Sequence, residues 1–108
     1  VIDYQRFTRD TAIYPGAMTG SVQALTYLAL GLTGEAGEIA NKAKKLLRDG
    51  DTPELRYALT GELGDVLWYL TRLADELYIS LESLAASNAA KLRDRQVRGV
   101  LGGSGDHR

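Results

Sequence analysis

Two tracts, Gly34-Glu35-Ala36-Gly37-Glu38 and Gly61-Glu62-Leu63-Gly64-Asp65, decide how this chain is read. Each lies in sequence with helical periodicity, sets two acids three residues apart and puts a glycine directly before each acid. On a helix that spacing places both acids of a tract on one face, about 60° apart around the axis and one turn along it. Two such faces brought together make a cage of carboxylates. An oxygen-only cage suits hard divalent cations such as Mg²⁺, with Mn²⁺ as a substitute, and those cations suit phosphate groups.

Working outward, Ser21 reads as an N-cap. From it Leu25, Leu28, Ala29, Leu32, Ala36, Ile39, Ala40, Ala43, Leu46 and Leu47 continue an apolar stripe at helical spacing. Gly50 stops that helix. Thr52-Pro53 starts the next with a cap residue and a proline at the first helical position, and Leu55, Leu59, Leu63, Val66, Leu67, Leu70, Leu73, Ala74 and Leu77 carry its stripe. Ser80 caps a further helix over about 81–98, with Leu84, Ala85, Asn88, Leu92 and Arg95 close to one face. A short helix over about 3–12 precedes all three and is broken by Tyr14-Pro15-Gly16-Ala17-Met18-Thr19-Gly20.

No alternating strand pattern appears, so the expected class is all-α, an antiparallel bundle of about four helices. Residues 1–98 are expected to form one domain and residues 99–108, with four glycines and a serine, a tail. At 108 residues and 44% hydrophobic composition the chain sits low in the size range for a comfortable single core, and completion of the bundle by dimerisation is the expectation.

The net charge of −1 gives no basic field of the kind that marks nonspecific nucleic-acid binding. Cysteine is absent and the single histidine, His107, is second from the C-terminus, so any metal must be held mainly by oxygen. There is no run of about 18 apolar residues and no basic-then-apolar leader, from which no membrane partner and a cytoplasmic location are expected.

Most helical acids are ordinary solvated charges. Several features set these apart. Glu38 has Lys42 at i+4, but Glu35, Glu62 and Asp65 face Ile39, Val66 and Tyr69 at that distance, so most of the set lacks a local ion pair. Glu62 falls within the apolar stripe of its own helix, and a half-buried acid needs a partner. Gly31, Gly34, Gly37, Gly61 and Gly64 each cost roughly 1 kcal/mol relative to alanine inside a helix. Their use is either close approach of two backbones or room for a ligand. Clustered carboxylates push one another's pKa upward unless cations neutralise them, as one or two Mg²⁺ ions do. A di-iron bundle wants Glu-x-x-His motifs, which no helix here contains.

At these residues the chain resembles the MazG-type members of the all-α nucleoside triphosphate pyrophosphohydrolase superfamily, marked by ExxE followed by ExxD on neighbouring helices. The match reads Glu35-x-x-Glu38 and Glu62-x-x-Asp65, and a later Asn-x-x-Lys-Leu-x-x-Arg element appears as Asn88, Lys91, Leu92 and Arg95. The resemblance implies an enzyme that binds Mg²⁺ through Glu35, Glu38, Glu62 and Asp65. It would hydrolyse a nucleoside triphosphate, (d)NTP, between the α and β phosphates with metal-activated water, and would act as a homodimer or dimer of dimers.

On that reading Glu35 or Glu38 orients or deprotonates the water. Lys91 and Arg95 bind phosphate oxygens, and Asn88, on the same helix face, bonds sugar, phosphate or a metal-bound water. Lys45 is a further candidate for reaching the substrate. Trp68, three residues past Asp65, is a candidate for stacking on the base, with packing as the plainer account. The tail resembles an ending seen in MazG-like proteins, and closure over substrate is the expectation attached to it. Two rivals stand beside this reading: a phosphoribosyl-ATP pyrophosphohydrolase of histidine biosynthesis, and a non-catalytic helical module that binds nucleotide or metal.

Overall fold

A computed structural model describes residues 3–99. The expected tail, apart from Gly99, and His107 lie outside the described residues. The elements are α1 (Tyr4–Thr8), a 3₁₀ turn (Arg9–Thr11), α2 (Val22–Asp49), α3 (Pro53–Glu76) and α4 (Leu81–Arg98), with no strand among the described residues.

The expected caps are in place. Ser21 Oγ accepts from the Ala24 N–H, Thr52 Oγ1 from Leu55 and Ser80 Oγ from Ser83, with Pro53 in the first turn of α3. Gly99 closes α4 in the left-handed conformation that a helix stop favours. The first helix is shorter than the spacing suggests. Thr8 and Thr11 turn their hydroxyls back to the carbonyls of Gln5 and Thr8, three residues earlier, and the chain tightens from α1 into the 3₁₀ turn.

The short connection at residues 50–52 makes α2 and α3 an antiparallel hairpin, packed along a shared seam. Residues shielded from solvent recur on α2 at Ala24, Leu28, Gly31, Glu35, Ile39, Lys42 and Leu46, and on α3 at Leu55, Leu59, Glu62, Val66, Tyr69 and Leu73. The alternating spacing of three and four is that of two helices meeting along a narrow seam. Three charged residues, Glu35, Lys42 and Glu62, therefore occupy positions where apolar side chains are the rule. Conversely, Leu63, Leu67, Leu70 and Leu77, part of the expected apolar stripe of α3, stand exposed on another face.

The fully buried apolar core is small, built on Tyr14, Ala24 and Leu28 with Ala12, Ala17, Trp68, Tyr69 and Leu73 against it. Polar groups fill the space beside it. The guanidinium of Arg72 is completely buried; it donates to Tyr14 Oη at 3.1 Å, Thr8 Oγ1 at 3.3 Å, Asp75 Oδ2 at 2.8 Å and Glu76 Oε2 at 3.4 Å. Glu76 in turn accepts from the Tyr14 hydroxyl and from the backbone N–H groups of Met18 and Gly20, the latter two at 2.7 Å. Those bonds hold the 14–20 loop in a tight curl in which Met18 takes a φ of 67°, a conformation that costs a non-glycine residue about 1 kcal/mol. Gly20, at φ 64°, has no room for a Cβ beside the Tyr78 hydroxyl.

Arg9 and Gln5 of the first segment reach Asp75, and Gln5 also bonds the backbone of Ile79 and Leu81, tying the N-terminal segment to the start of α4. The bond from Arg9, and the further one from Arg72, hold the Asp75 carboxyl at about 2 against the opposing effect of burial. For Glu76, burial alone favours the neutral form, but its bonds from Tyr14, Met18 and Gly20 prevail and lower its pKa. The same site pushes the Tyr14 phenol up to about 12, first by burial and then by its bond to Glu76.

Both carboxyls have folded pKa values below their ordinary values of 3.8 and 4.5. Their contribution is therefore present above those ordinary values and is lost as pH falls toward the folded ones. Denaturant melts are expected to show stability declining from about pH 5 to pH 2. Asp75→Asn should cost on the order of 2 kcal/mol at pH 7 and progressively less as the pH is lowered through that window. A pH-independent difference between wild type and variant would contradict the assignment.

Candidate metal centre

The hairpin seam brings the two glycine-acid tracts face to face. Carboxylate oxygens of Glu35 on α2 and of Glu62 and Asp65 on α3 all lie within 4.8 Å of one another. Glu35 and Glu62 are half-buried, and Asp65 is exposed at the edge of the seam. The Glu35 carboxyl is raised above its ordinary pKa, first by partial desolvation, then by its hydrogen bond with Glu62 and by the charges of Asp65, Glu62 and Glu38. Such a cluster favours whatever brings positive charge to it.

Glu38, the fourth expected acid, stands apart from the trio. Its carboxylate is half exposed and turned to the Lys42 ammonium at 3.7 Å, which also meets Glu62 at 3.4 Å. The donor set is all carboxylate oxygen, the set that Mg²⁺ and Mn²⁺ take. Oxygens on opposite sides of an octahedral Mg²⁺ are about 4.2 Å apart, so a trio within 4.8 Å closes on such an ion with small side-chain movements. The residues fit a hard divalent cation.

The glycines divide into two kinds. A Cβ on Gly31 would lie 2.1 Å from the ring of Tyr69, so this glycine lets the tyrosine of α3 press close against α2. A Cβ at Gly34, Gly37, Gly61 or Gly64 would meet nothing within 4 Å, so within one chain these four serve no close approach. They leave open surface beside the acids. Tyr69, seated on Gly31, has its phenol pKa raised by burial and then by Tyr27, Glu35 and Asp65, which places its hydroxyl in the field of the acid cluster. Spacing alone does not single out Tyr69; a glycine one turn before Glu35 is the signal, but only the pairing of the helices shows which ring fills the space.

Trp68 is engaged in packing. Its indole meets Tyr14 and Tyr69 edge-on with centroids at 6.1 and 5.0 Å, and its N–H donates to Thr11 Oγ1 at 2.7 Å. Tyr14 also stacks on the half-exposed Tyr27 at 5.7 Å. Lys45 is exposed on α2 beyond Lys42. Asn88, Lys91 and Arg95 share a face of α4, where Asn88 and Lys91 are exposed and Arg95 is buried. α4 has only slight contact with α3. A concavity of about 720 Å³ lies at the far end of α3, lined by Arg9, Met18, Arg72, Asp75, Glu76 and Tyr78, away from the acid trio.

Comparison with known proteins bears directly on this geometry. The family model for the MazG nucleotide pyrophosphohydrolase domain matches residues 23–99, a span that contains both acid tracts and the face of α4. The Gene 37 protein of Mycobacterium phage L5 is 52% identical over 109 residues, covering 97% of this chain and 96% of the phage protein. No solved structure matches.

The two kinds of glycine predict opposite stability effects. Gly31→Ala should lower stability by about 1–3 kcal/mol through overpacking against Tyr69. Gly34→Ala and Gly64→Ala, with open space around them, should leave it unchanged or raise it by up to about 1 kcal/mol. Thermal melts of the three variants at low protein concentration check this, and a stabilising Gly31→Ala would contradict the seating of Tyr69.

Proposed function

The chain belongs to the MazG nucleotide pyrophosphohydrolase family, and from that premise we propose that it hydrolyses a (d)NTP between the α and β phosphates, giving a nucleoside monophosphate and pyrophosphate. The observation that carries this reading is the convergence of Glu35, Glu62 and Asp65 on the seam of two antiparallel helices, inside the span the family covers. Bound Mg²⁺, or Mn²⁺ in its place, supplies neutralisation of the triphosphate charge and acidification of water.

The chain's residues have the following parts in this proposal. Glu35, Glu62 and Asp65, joined by Glu38, hold the cation. Of the two acids expected to orient or deprotonate the attacking water, Glu35 is the better placed, since it sits inside the trio and Glu38 outside it. Lys91 and Arg95 neutralise phosphate oxygens, Asn88 bonds sugar or phosphate, and Lys45, exposed on α2, reaches toward the substrate. Trp68 shapes the wall through Tyr14 and Tyr69, with its own N–H already bound to Thr11. In this proposal residues 1–98 act as one domain with 99–108 as its tail, and the activity is cytoplasmic.

The active form in this proposal is a homodimer or a dimer of dimers. Leu63, Leu67 and Leu70 on α3, with Leu77 just past its end, form an exposed apolar stripe at spacings of four, three and seven, and the fully buried apolar core is small. A second copy of this chain supplies a matching stripe by symmetry. It also supplies a second α4, with a second copy of the Asn88, Lys91 and Arg95 face.

Pyrophosphate release from a panel of (d)NTPs and phosphoribosyl-ATP tests the activity. Turnover is expected with Mg²⁺, abolished by EDTA and lowered about 10²- to 10⁴-fold by Glu35→Gln. Turnover that survives EDTA and both Glu35→Gln and Glu38→Gln contradicts the proposal. Sedimentation should give at least twice the 11.7 kDa chain mass, shifted to the chain mass by Leu67→Glu; a wild-type monomer at micromolar concentration would contradict the assembly.

A further inference from the structure

Lys42 is the cation set into the acid seam. Its ammonium lies 3.4 Å from Oε1 of Glu62 on α3 and 3.7 Å from Oε2 of Glu38 on its own helix, with its side chain only 20% exposed. From spacing alone, Glu38 and Lys42 form an ordinary i,i+4 surface pair. The structure makes it a bridge between helices. Lys44, Lys45 and Arg48 of the same basic run are exposed, and Arg48 pairs with its neighbour Asp49 rather than with an acid of the two tracts.

The two acids that Lys42 touches divide the set. Glu62 belongs to the converged trio and Glu38 does not, so one ammonium both neutralises a member of the trio and keeps the fourth acid turned aside. A divalent ion placed among Glu35, Glu62 and Asp65 would share the Glu62 carboxylate with this ammonium. Like charges a few ångströms apart repel even at the effective dielectric of a protein surface, and the flexible four-carbon stem lets the ammonium leave without any shift of α2.

We propose that Lys42 is a tethered cation that competes with divalent metal for Glu62 and Glu38, so that metal enters the seam by displacing its ammonium and thereby frees Glu38 to join the other three acids. The inference rests on the reading of these acids as metal ligands and adds to it a positioning residue. It also gives a reason for divalent preference. A monovalent ion exchanged for the ammonium leaves the charge of the seam unchanged, whereas a divalent ion adds one positive charge to it.

Titration of the EDTA-stripped full chain with Mn²⁺, followed by calorimetry and by the electron paramagnetic resonance of free Mn²⁺, tests this without any substrate. Lys42→Met is expected to bind Mn²⁺ about 3- to 30-fold more tightly than wild type, the range set by loss of two partly shielded ion pairs. Lys42→Arg, which keeps the charge, should stay within about 3-fold of wild type. The stripped Lys42→Met protein should melt below stripped wild type, with the gap closing at saturating Mn²⁺. Equal or weaker Mn²⁺ binding by folded Lys42→Met overturns the inference while leaving the metal reading intact. Should Lys42→Met fail to fold, Lys42→Gln carries the same comparison. A wild type that binds no Mn²⁺, or whose binding is indifferent to Asp65→Asn, overturns the metal reading itself.

Discussion

The buried guanidinium of Arg72 is the point on which the arrangement of the chain depends. Burying that charge is costly, and the cost is offset only because Asp75, Glu76, Tyr14 and Thr8 surround it with acceptors. Each acceptor brings a segment with it. Asp75 brings Arg9 and Gln5 of the N-terminal segment, Glu76 brings the backbone of the 14–20 loop, and Gln5 reaches across to the start of α4. The loop so pinned ends at Ser21, the cap of α2. In this way one ionic knot at the C-terminal end of α3 sets where α2 begins and hence its register along the seam.

Register matters because the acids sit in the seam. A helix that slid by one residue against its partner would carry Glu35 away from Glu62 and unseat Tyr69 from Gly31. The aromatic group of Tyr14, Tyr27, Trp68 and Tyr69 lies between the knot and the acids, in edge-on and stacked contacts that transmit position rather than charge. The acid trio is thus placed by packing at one end, and one of its members, Glu62, is paired with Lys42 at the other. Fully buried apolar side chains are few, and Leu63, Leu67 and Leu70 of α3 face outward.

Much of this was legible in the sequence, for local reasons. Ser21, Thr52-Pro53, Gly50 and Ser80 are governed by backbone hydrogen bonding within four residues, so helix limits followed from them. The pairing of the two tracts also followed, because acid spacing and the short turn at Gly50 are both local. What was not legible depends on which face of α3 meets α2. Spacing put Leu63, Leu67 and Leu70 in one stripe with Leu59, Val66 and Leu73 and set Glu62 within it; the seam takes Glu62 and Val66, adds Tyr69 and leaves the three leucines outside. Arg72, Asp75 and Glu76 carry no signal in the sequence, because nothing in their order reveals that Tyr14 and the loop after it close over them. Glu38 and Lys42 read as a surface pair for the same reason; the helix across from them decides otherwise.

The central claim is that the carboxylates at the α2–α3 seam direct water to the α-phosphorus of a nucleoside triphosphate. Hydrolysis in ¹⁸O-labelled water with Mg²⁺ tests it most directly, by mass spectrometry of both products. The account predicts one ¹⁸O in the nucleoside monophosphate and none in pyrophosphate, with the labelled product lost in Asp65→Asn. Label found in the pyrophosphate, or in free phosphate released from the γ position, would contradict it.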